Sequence, residues 1–201
     1  TRSGTGWTVM AICWKWDPDM DGLRIIGGAF GGRRLLAPPG RDTRPLPDRI
    51  KQSLFDWLGQ RLAGWRVVDA CAGSGAFGLE CASRGAGEVH LCEPGRHALS
   101  TLRANLHLLG DPPVVRLHAS GFEHVLPTLT GLDLVFCDPP FPWFSAERAL
   151  LARMIDLAAA AVAADGIVLV RGERGEDLPA HGMRERQRRS YGRSWVAALG
   201  R

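Results

Sequence analysis

The chain has 201 residues, of which 45% are hydrophobic, and a formal net charge of +4. That length supports one α/β unit with a full core and a small appendage, and that composition excludes a disordered chain. No apolar run is long enough to span a membrane, and five scattered cysteines (Cys13, Cys71, Cys81, Cys92 and Cys137) without a C-x-x-C pair point away from disulfides and zinc, towards a cytoplasmic protein.

The charge is unevenly spread. Residues 24–66 hold 9 Lys/Arg against 3 Asp/Glu, residues 67–170 hold 6 against 11, and residues 171–201 hold 8 against 4. Basic ends around an acidic middle suggest a polyanionic partner, most simply nucleic acid. Solvated surface arginines are the plainer alternative.

Residues 1–19 carry Trp7, Trp14 and Trp16 with no amphipathic period and none of the features of a signal peptide. Met20 is a plausible start, and residues 1–19 are set aside as an extension without an assigned role. Residues 20–64 read as a basic N-terminal appendage. The runs Arg24–Ile26 and Arg33–Leu36, joined by glycines, predict a β-hairpin. The Pro, Gly and Arg of residues 37–47 predict a loop. From Asp48 a helix follows, with Ile50, Leu54, Trp57, Leu58 and Leu62 on its apolar face and Arg49 and Lys51 away from it.

From residue 65 onwards strands and helices alternate. Strands are expected at Arg66–Ala70, Gly87–Glu93, Val114–His118, Leu132–Cys137 and Ile167–Arg171, with weaker candidates at Met183–Arg189 and Ser194–Leu199. Helices are expected up to Arg84, over Arg96–Leu109 and Phe122–Leu129, and over Ala146–Ala164, where Asp165-Gly166 stops the last. This alternation means a doubly wound α/β sheet.

Two stretches carry chemistry. Between the first strand and its helix lies Gly73-x-Gly75-x-x-Gly78, and Glu93 ends the second strand 20 residues after Gly73. Glycines admit a ligand close to the backbone, and the acid suits two ribose hydroxyls. NAD enzymes and S-adenosylmethionine (AdoMet) enzymes share that logic. Asp69, just before the loop, favours AdoMet, because it would attract the cofactor's ammonium group and repel a pyrophosphate. The second stretch is Asp138-Pro139-Pro140-Phe141, after the fourth strand. Two prolines force the chain to stop and turn there. The corner offers a carboxylate, a carbonyl and a ring, which together can hold and stack a nucleobase amino group. An ordinary Asp-Pro turn is the plainer reading.

These motifs carry a family resemblance. Arg24-Ile-Ile-Gly-Gly, Gly32-Arg-Arg-Leu, Arg44-Pro and Asp48-Arg49 come first. Asp69-x-x-Ala-Gly-Ser-Gly-Ala-x-Gly-Leu-Glu80, Ser83-Arg-Gly-Ala86, Asp138-Pro-Pro-Phe141 and Tyr191-Gly192 follow in order. From about Leu23 onwards the chain resembles the bacterial 16S ribosomal RNA guanine-N2 methyltransferases of the RsmD type. The family commonly has Arg-Glu where Lys51-Gln52 stand.

The resemblance implies a Rossmann-like class I methyltransferase fold, with a mixed sheet and an N-terminal hairpin and helix that bind RNA. It implies AdoMet at Asp69, Ala70, Gly73, Ser74, Gly75, Glu93, His118 and Ala119. Catalysis falls to Asp138, Pro139, Pro140 and Phe141, and RNA contact to Arg24, Arg33, Arg34, Arg44, Arg49 and Lys51. The expected partner is 16S ribosomal RNA or a small-subunit assembly particle, the expected state a monomer, and no metal or membrane is involved. Two alternatives stay open. One is an amino methyltransferase on another nucleic acid, such as adenine N6 of DNA. The other is a non-catalytic RNA-binding protein on the same fold.

Overall fold

The computed structural model describes residues 23–38 and 46–201; residues 1–22 and 39–45, Arg44 and part of the expected loop among them, lie outside the described residues. Seven strands form one mixed sheet: β1 (Arg66–Asp69), β2 (Glu88–Cys92), β3 (Val115–His118), β4 (Leu132–Cys137), β5 (Val162–Glu173), β6 (Arg184–Tyr191) and β7 (Ser194–Gly200). Their order across the sheet is β3-β2-β1-β4-β5-β7-β6. The first five run parallel, and β7 is antiparallel to both β5 and β6. The doubly wound mixed sheet expected from the alternation of elements is present.

The helices are α1 (Asp48–Leu58), α2 (Ala76–Ser83), α3 (Arg96–Leu108), α4 (Phe122–Val125) and α5 (Arg148–Ala161). Successive side chains of a strand point to opposite faces, so each central strand feeds two layers. Leu134 and Phe136 of β4 join one apolar cluster with α1, α2 and α3. Val135 and Cys137 join the other, with α4 and α5.

Three boundaries differ from expectation: α1 ends at Leu58, where Gly59 with φ +91 stops it short of Leu62, and two others lie further along the chain. The helix α5 ends at Ala161, and β5 begins at Val162 because Leu132 pairs with Val162 before a bulge. Regular pairing resumes at Leu134–Ile167, so Asp165-Gly166 sits inside that bulge rather than capping a helix. The helix expected over Phe122–Leu129 stops at Val125 and tightens into a 3-10 turn, Leu126–Thr128. Pro127 lies in that turn and lacks the N–H a longer α-helix would use.

The N-terminal hairpin is short. Arg24 and Arg34 form one antiparallel bridge, supported by Ile25 N–H to the Arg33 carbonyl (2.9 Å) and Gly32 N–H to the Ile25 carbonyl (2.8 Å). Leu23, Ile25 and Leu35 bury into the same cluster as Leu54, Phe55, Phe77 and Phe136. Its turn docks on the C-terminal end of α2. The Ala29 N–H donates to the Ser83 carbonyl at 2.7 Å and the Phe30 N–H to Ser83 Oγ at 2.9 Å. Gly28 is required at this contact, since a Cβ there would lie 1.8 Å from the Ser83 carbonyl oxygen.

Glu80 anchors the junction. Its fully buried carboxylate accepts the Ile26 and Gly27 N–H groups at 2.8 and 2.9 Å and Arg84 Nε at 2.8 Å. Lys51 Nζ lies 3.6 Å from it and 3.5 Å from Asp48, and donates to the Arg24 carbonyl. Lys51 was expected on the surface against RNA; it is instead fully buried. Its charge is matched inside the protein, and burial pushes its pKa below the ordinary lysine range. A long stem and a point charge suit it to that internal clamp.

Candidate active site

The carboxyl ends of β1, β2, β4 and β5 open into a cavity of about 630 Å³, the position where open α/β sheets bind ligands and a volume typical of small-molecule sites. Its floor is the loop between β1 and α2. Gly75 has φ +82, and a Cβ on it would meet Leu102 Cδ1 at 2.4 Å, so the tight turn needs glycine twice over. The Gly73 N–H donates to Glu93 Oε2 at 2.8 Å, and the Gly95 N–H to Oε1 at 2.7 Å. Glu93 is thereby fixed at the rim, and each oxygen keeps a second lone pair for a ligand hydroxyl.

Asp69 ends β1 and is buried. Its Oδ2 accepts the Gly78 N–H at 3.0 Å, while its Oδ1 is buried without a partner. Burial pushes this carboxyl up to about 7, against the Gly78 hydrogen bond, and the charges of Asp138 and Glu93 push the same way. Four carboxylates line the cavity, and with Asp138 paired to Arg171 and Glu173 to Arg193, Asp69 and Glu93 are left to suit a cationic ligand. An ammonium and sulfonium fit this donor set, with the orphaned Asp69 Oδ1 as an acceptor waiting for a donor. A pyrophosphate set against Asp69 and Glu93 would be repelled by both.

Opposite the glycine loop stands the Asp138–Phe141 corner. The Pro140 carbonyl accepts the Trp143 N–H at 2.9 Å and closes a 3-10 turn over Phe141–Phe144. Phe144 anchors that turn in the core, edge-on to Trp195. Phe141 is half-buried and lines the cavity. Burial raises the Asp138 carboxyl above the usual range; Arg171, whose Nη1 donates to Asp138 Oδ2 at 2.9 Å, opposes that shift.

Of the expected cofactor residues, Asp69, Gly73, Ser74 and Glu93 line the cavity together with all four residues of the corner. Ala70 and Gly75 stand behind the wall, Ala70 donating its N–H to the Phe136 carbonyl. His118 and Ala119 are not brought to the cavity wall. The His118 ring stacks on His90 across β3 and β2, with Nε2 2.9 Å from His90 Nδ1. Arg24, Arg33, Arg34 and Arg49 are exposed, and Arg24 pairs with Asp48 at 2.8 Å. Sequence reasoning missed Arg171. The available signal was a charged residue directly after the apolar run Ile167–Val170, at the strand end level with Asp138. Among the described residues no group of three or more His, Cys, Asp or Glu is arranged to hold a metal, and no helix is long and apolar enough to cross a membrane.

The sequence pattern of the family described as "Conserved hypothetical protein 95" matches residues 23–199. The chain belongs to this family. Ribosomal RNA small subunit methyltransferase D of Escherichia coli (strain K12) is 39% identical over 137 residues, 67% of this chain and 66% of that protein. The matched stretch thus spans just under two thirds of that relative. The Haemophilus influenzae protein of the same name is 33% identical over 132 residues, 64% of this chain and 68% of its own length. A solved Escherichia coli structure described as "Putative methyltransferase yhhF" superposes with a TM-score of 0.75 at 32% identity, covering 89% of this chain and 97% of that one. The resemblance read from the motifs is borne out, and the fold is the Rossmann-like fold of class I methyltransferases. In this member of the family, the matched region includes the hairpin and α1 as well as the sheet.

Proposed function

We propose that this protein transfers the methyl group of AdoMet to the exocyclic N2 of a guanine in 16S ribosomal RNA. One observation carries the reading. The Asp-Pro-Pro-Phe corner faces a carboxylate-lined glycine-loop cavity across a space sized for the cofactor and a single base. The relatives named for ribosomal RNA methylation supply the substrate class.

When bound, AdoMet supplies an electrophilic methyl group on a sulfonium that leaves as a neutral thioether. Asp69 and Glu93 hold the cofactor's ammonium and ribose ends. An aryl amine is a weak nucleophile because its lone pair is delocalised into the ring. Hydrogen bonds from the NH2 to Asp138 and to the Pro139 carbonyl favour a pyramidal nitrogen. Its lone pair forms the N–C bond as the C–S bond breaks and that pair returns to sulfur. Asp138 then takes the surplus proton. Phe141 stacks on the base, which must leave its own stack to reach the site. Catalysis here is positioning and electrostatics.

The reading is tested by incubating the protein with radiolabelled AdoMet and 16S RNA, free or in small-subunit particles, and mapping the modified nucleotide. Methylation at an adenine N6, or of DNA only, would replace the substrate; no transfer to any nucleic acid would leave a binding protein.

Glu93→Ala should weaken AdoMet by about 1.5–3 kcal/mol, the range for hydrogen bonds to a charged group. Calorimetry decides it, and binding of NADH in place of AdoMet would refute the cofactor.

The exposed Arg24, Arg33, Arg34 and Arg49 form the RNA platform in this reading, joined by the arginines of β6. Lys51 has no part in it. Removing Arg33 or Arg49 should lower the salt slope of RNA binding by roughly one unit each. A slope unchanged in the double variant would shift the platform to the C-terminal arginines alone.

A further inference from the structure

Arg171 lies at the carboxyl end of β5 with its side chain 4% exposed. Its Nη1 donates to Asp138 Oδ2 at 2.9 Å, its Nη2 lies 3.5 Å from Ser194 Oγ, and its Cζ sits 5.4 Å from the centre of the Phe141 ring. Its Nε is buried without a partner. A guanidinium buried with a donor unmet is poor structural glue, since well-packed apolar residues commonly replace buried ion pairs at no cost in stability. What Arg171 does touch is the two side chains that meet the base.

We propose that Arg171 is a positioning residue for methyl transfer: it holds Asp138 by Oδ2, leaves Oδ1 to accept from the target amine, keeps that carboxylate ionised, and braces Phe141. The proposal rests on the methyl-transfer reading above.

The surroundings make such a partner necessary. Asp69 and Cys71 face Asp138 from the end of β1, Cys137 from β4 itself, and Glu93 lines the same cavity from the end of β2. Burial favours the protonated form of Asp138, and every one of these groups is negative or neutral, so none of them opposes that. Arg96, His97 and Arg193 also line the cavity, but all three are exposed, and Arg193 is paired with Glu173 at 3.3 Å. Arg171 is the cation in contact with Asp138. Without it the carboxyl would hold its proton to higher pH and donate where the amine needs an acceptor. The Asp138 side chain keeps 19% exposure, so a ligand can reach it beside the ion pair.

The test is the pH profile of single-turnover methyl transfer at saturating AdoMet. Arg171→Gln keeps a polar group and loses the charge. Its acid limb should move up by about 1–3 pH units, as expected when an opposite charge leaves a carboxylate's side. Well below both midpoints its rate should fall about 10–1000-fold under the wild type, in proportion to that shift, and recover as the pH rises. Arg171→Lys keeps the charge and loses the fork. Its acid limb should stay near the wild-type position while the rate falls roughly tenfold through poorer orientation. AdoMet binding by calorimetry confirms that each variant is folded.

An Arg171→Gln variant that binds AdoMet and keeps the wild-type acid limb, or that loses rate equally at every pH, overturns the proposal. So does an Arg171→Lys variant with the wild-type rate throughout, which also decides the matter if the Gln variant does not fold. Absence of methyl transfer in the wild-type protein would instead sink the proposed function.

Discussion

Asp138→Asn should slow single-turnover methylation on the order of 10²–10⁴-fold while leaving AdoMet affinity nearly unchanged. The reason lies in when Asp138 is used. In the proposed mechanism Asp69 and Glu93 meet the cofactor in the ground state, whereas Asp138 meets the amine only as charge builds on nitrogen. Its loss therefore appears in the rate rather than in cofactor binding. Asparagine keeps one acceptor oxygen and removes the charge and the proton-accepting capacity. It also leaves the Arg171 guanidinium, bonded to Asp138 at 2.9 Å, without its counter-charge. A thermal melt of the variant separates that structural cost from the chemical one. If Asp138→Asn methylates RNA at the wild-type rate, the corner is only a turn, and the mechanism fails even though the family stands.

The largest expected effect on stability is at Glu80. Glu80→Ala removes the carboxylate that accepts the Ile26 and Gly27 N–H groups and pairs with Arg84 and Lys51. Arg84, whose side chain is 3% exposed, loses its carboxylate, and Lys51, at 0%, keeps only Asp48 as a counter-charge, at 3.5 Å. Breaking a buried pair from one side typically costs about 3–5 kcal/mol. Domains have only about 5–15 kcal/mol in total, so the variant should unfold at a much lower urea concentration. Glu80→Gln keeps the shape and two acceptor lone pairs and should lose less. A shift in the midpoint worth under about 1 kcal/mol for Glu80→Ala would mean that water replaces the carboxylate and that the hairpin is held by its apolar side chains alone.

The difference between what the sequence revealed and what it hid follows from range. Leu132–Cys137 was legible to the residue because a continuous apolar run ends at a double proline, and nothing beyond the local chain is needed to stop it. The glycine loop was legible because its spacing encodes its contacts: Gly73 and Glu93, 20 residues apart, are hydrogen-bonded. The start of β5 was not, because a bridge between Leu132 and Val162 draws the chain into the sheet ahead of its regular register. Lys51 was misread for a similar reason. Its helix position looks solvent-facing until the hairpin and α2 close over it, and both are brought there by long-range packing. Arg171 and Asp138 are 33 residues apart and meet only because β5 lies beside β4. His118 ends β3 beside β2, where its carbonyl accepts the Glu93 N–H at 3.1 Å while its ring turns onto His90, a pairing that only the sheet order reveals.

The strand order has a consequence for how copies of this protein behave towards one another. Because β7 returns between β5 and β6, β6 has one side unpaired among the described residues, a ready template for another extended chain. An edge with alternating apolar residues would invite stacking into aggregates at the concentrations of a crowded cell. The segment Arg184–Tyr191 instead reads Arg-Glu-Arg-Gln-Arg-Arg-Ser-Tyr. Bringing two such strands together would set guanidinium against guanidinium, and like charges directly opposite repel. The same arginines that would draw a polyanion to this rim therefore make it a poor partner for itself.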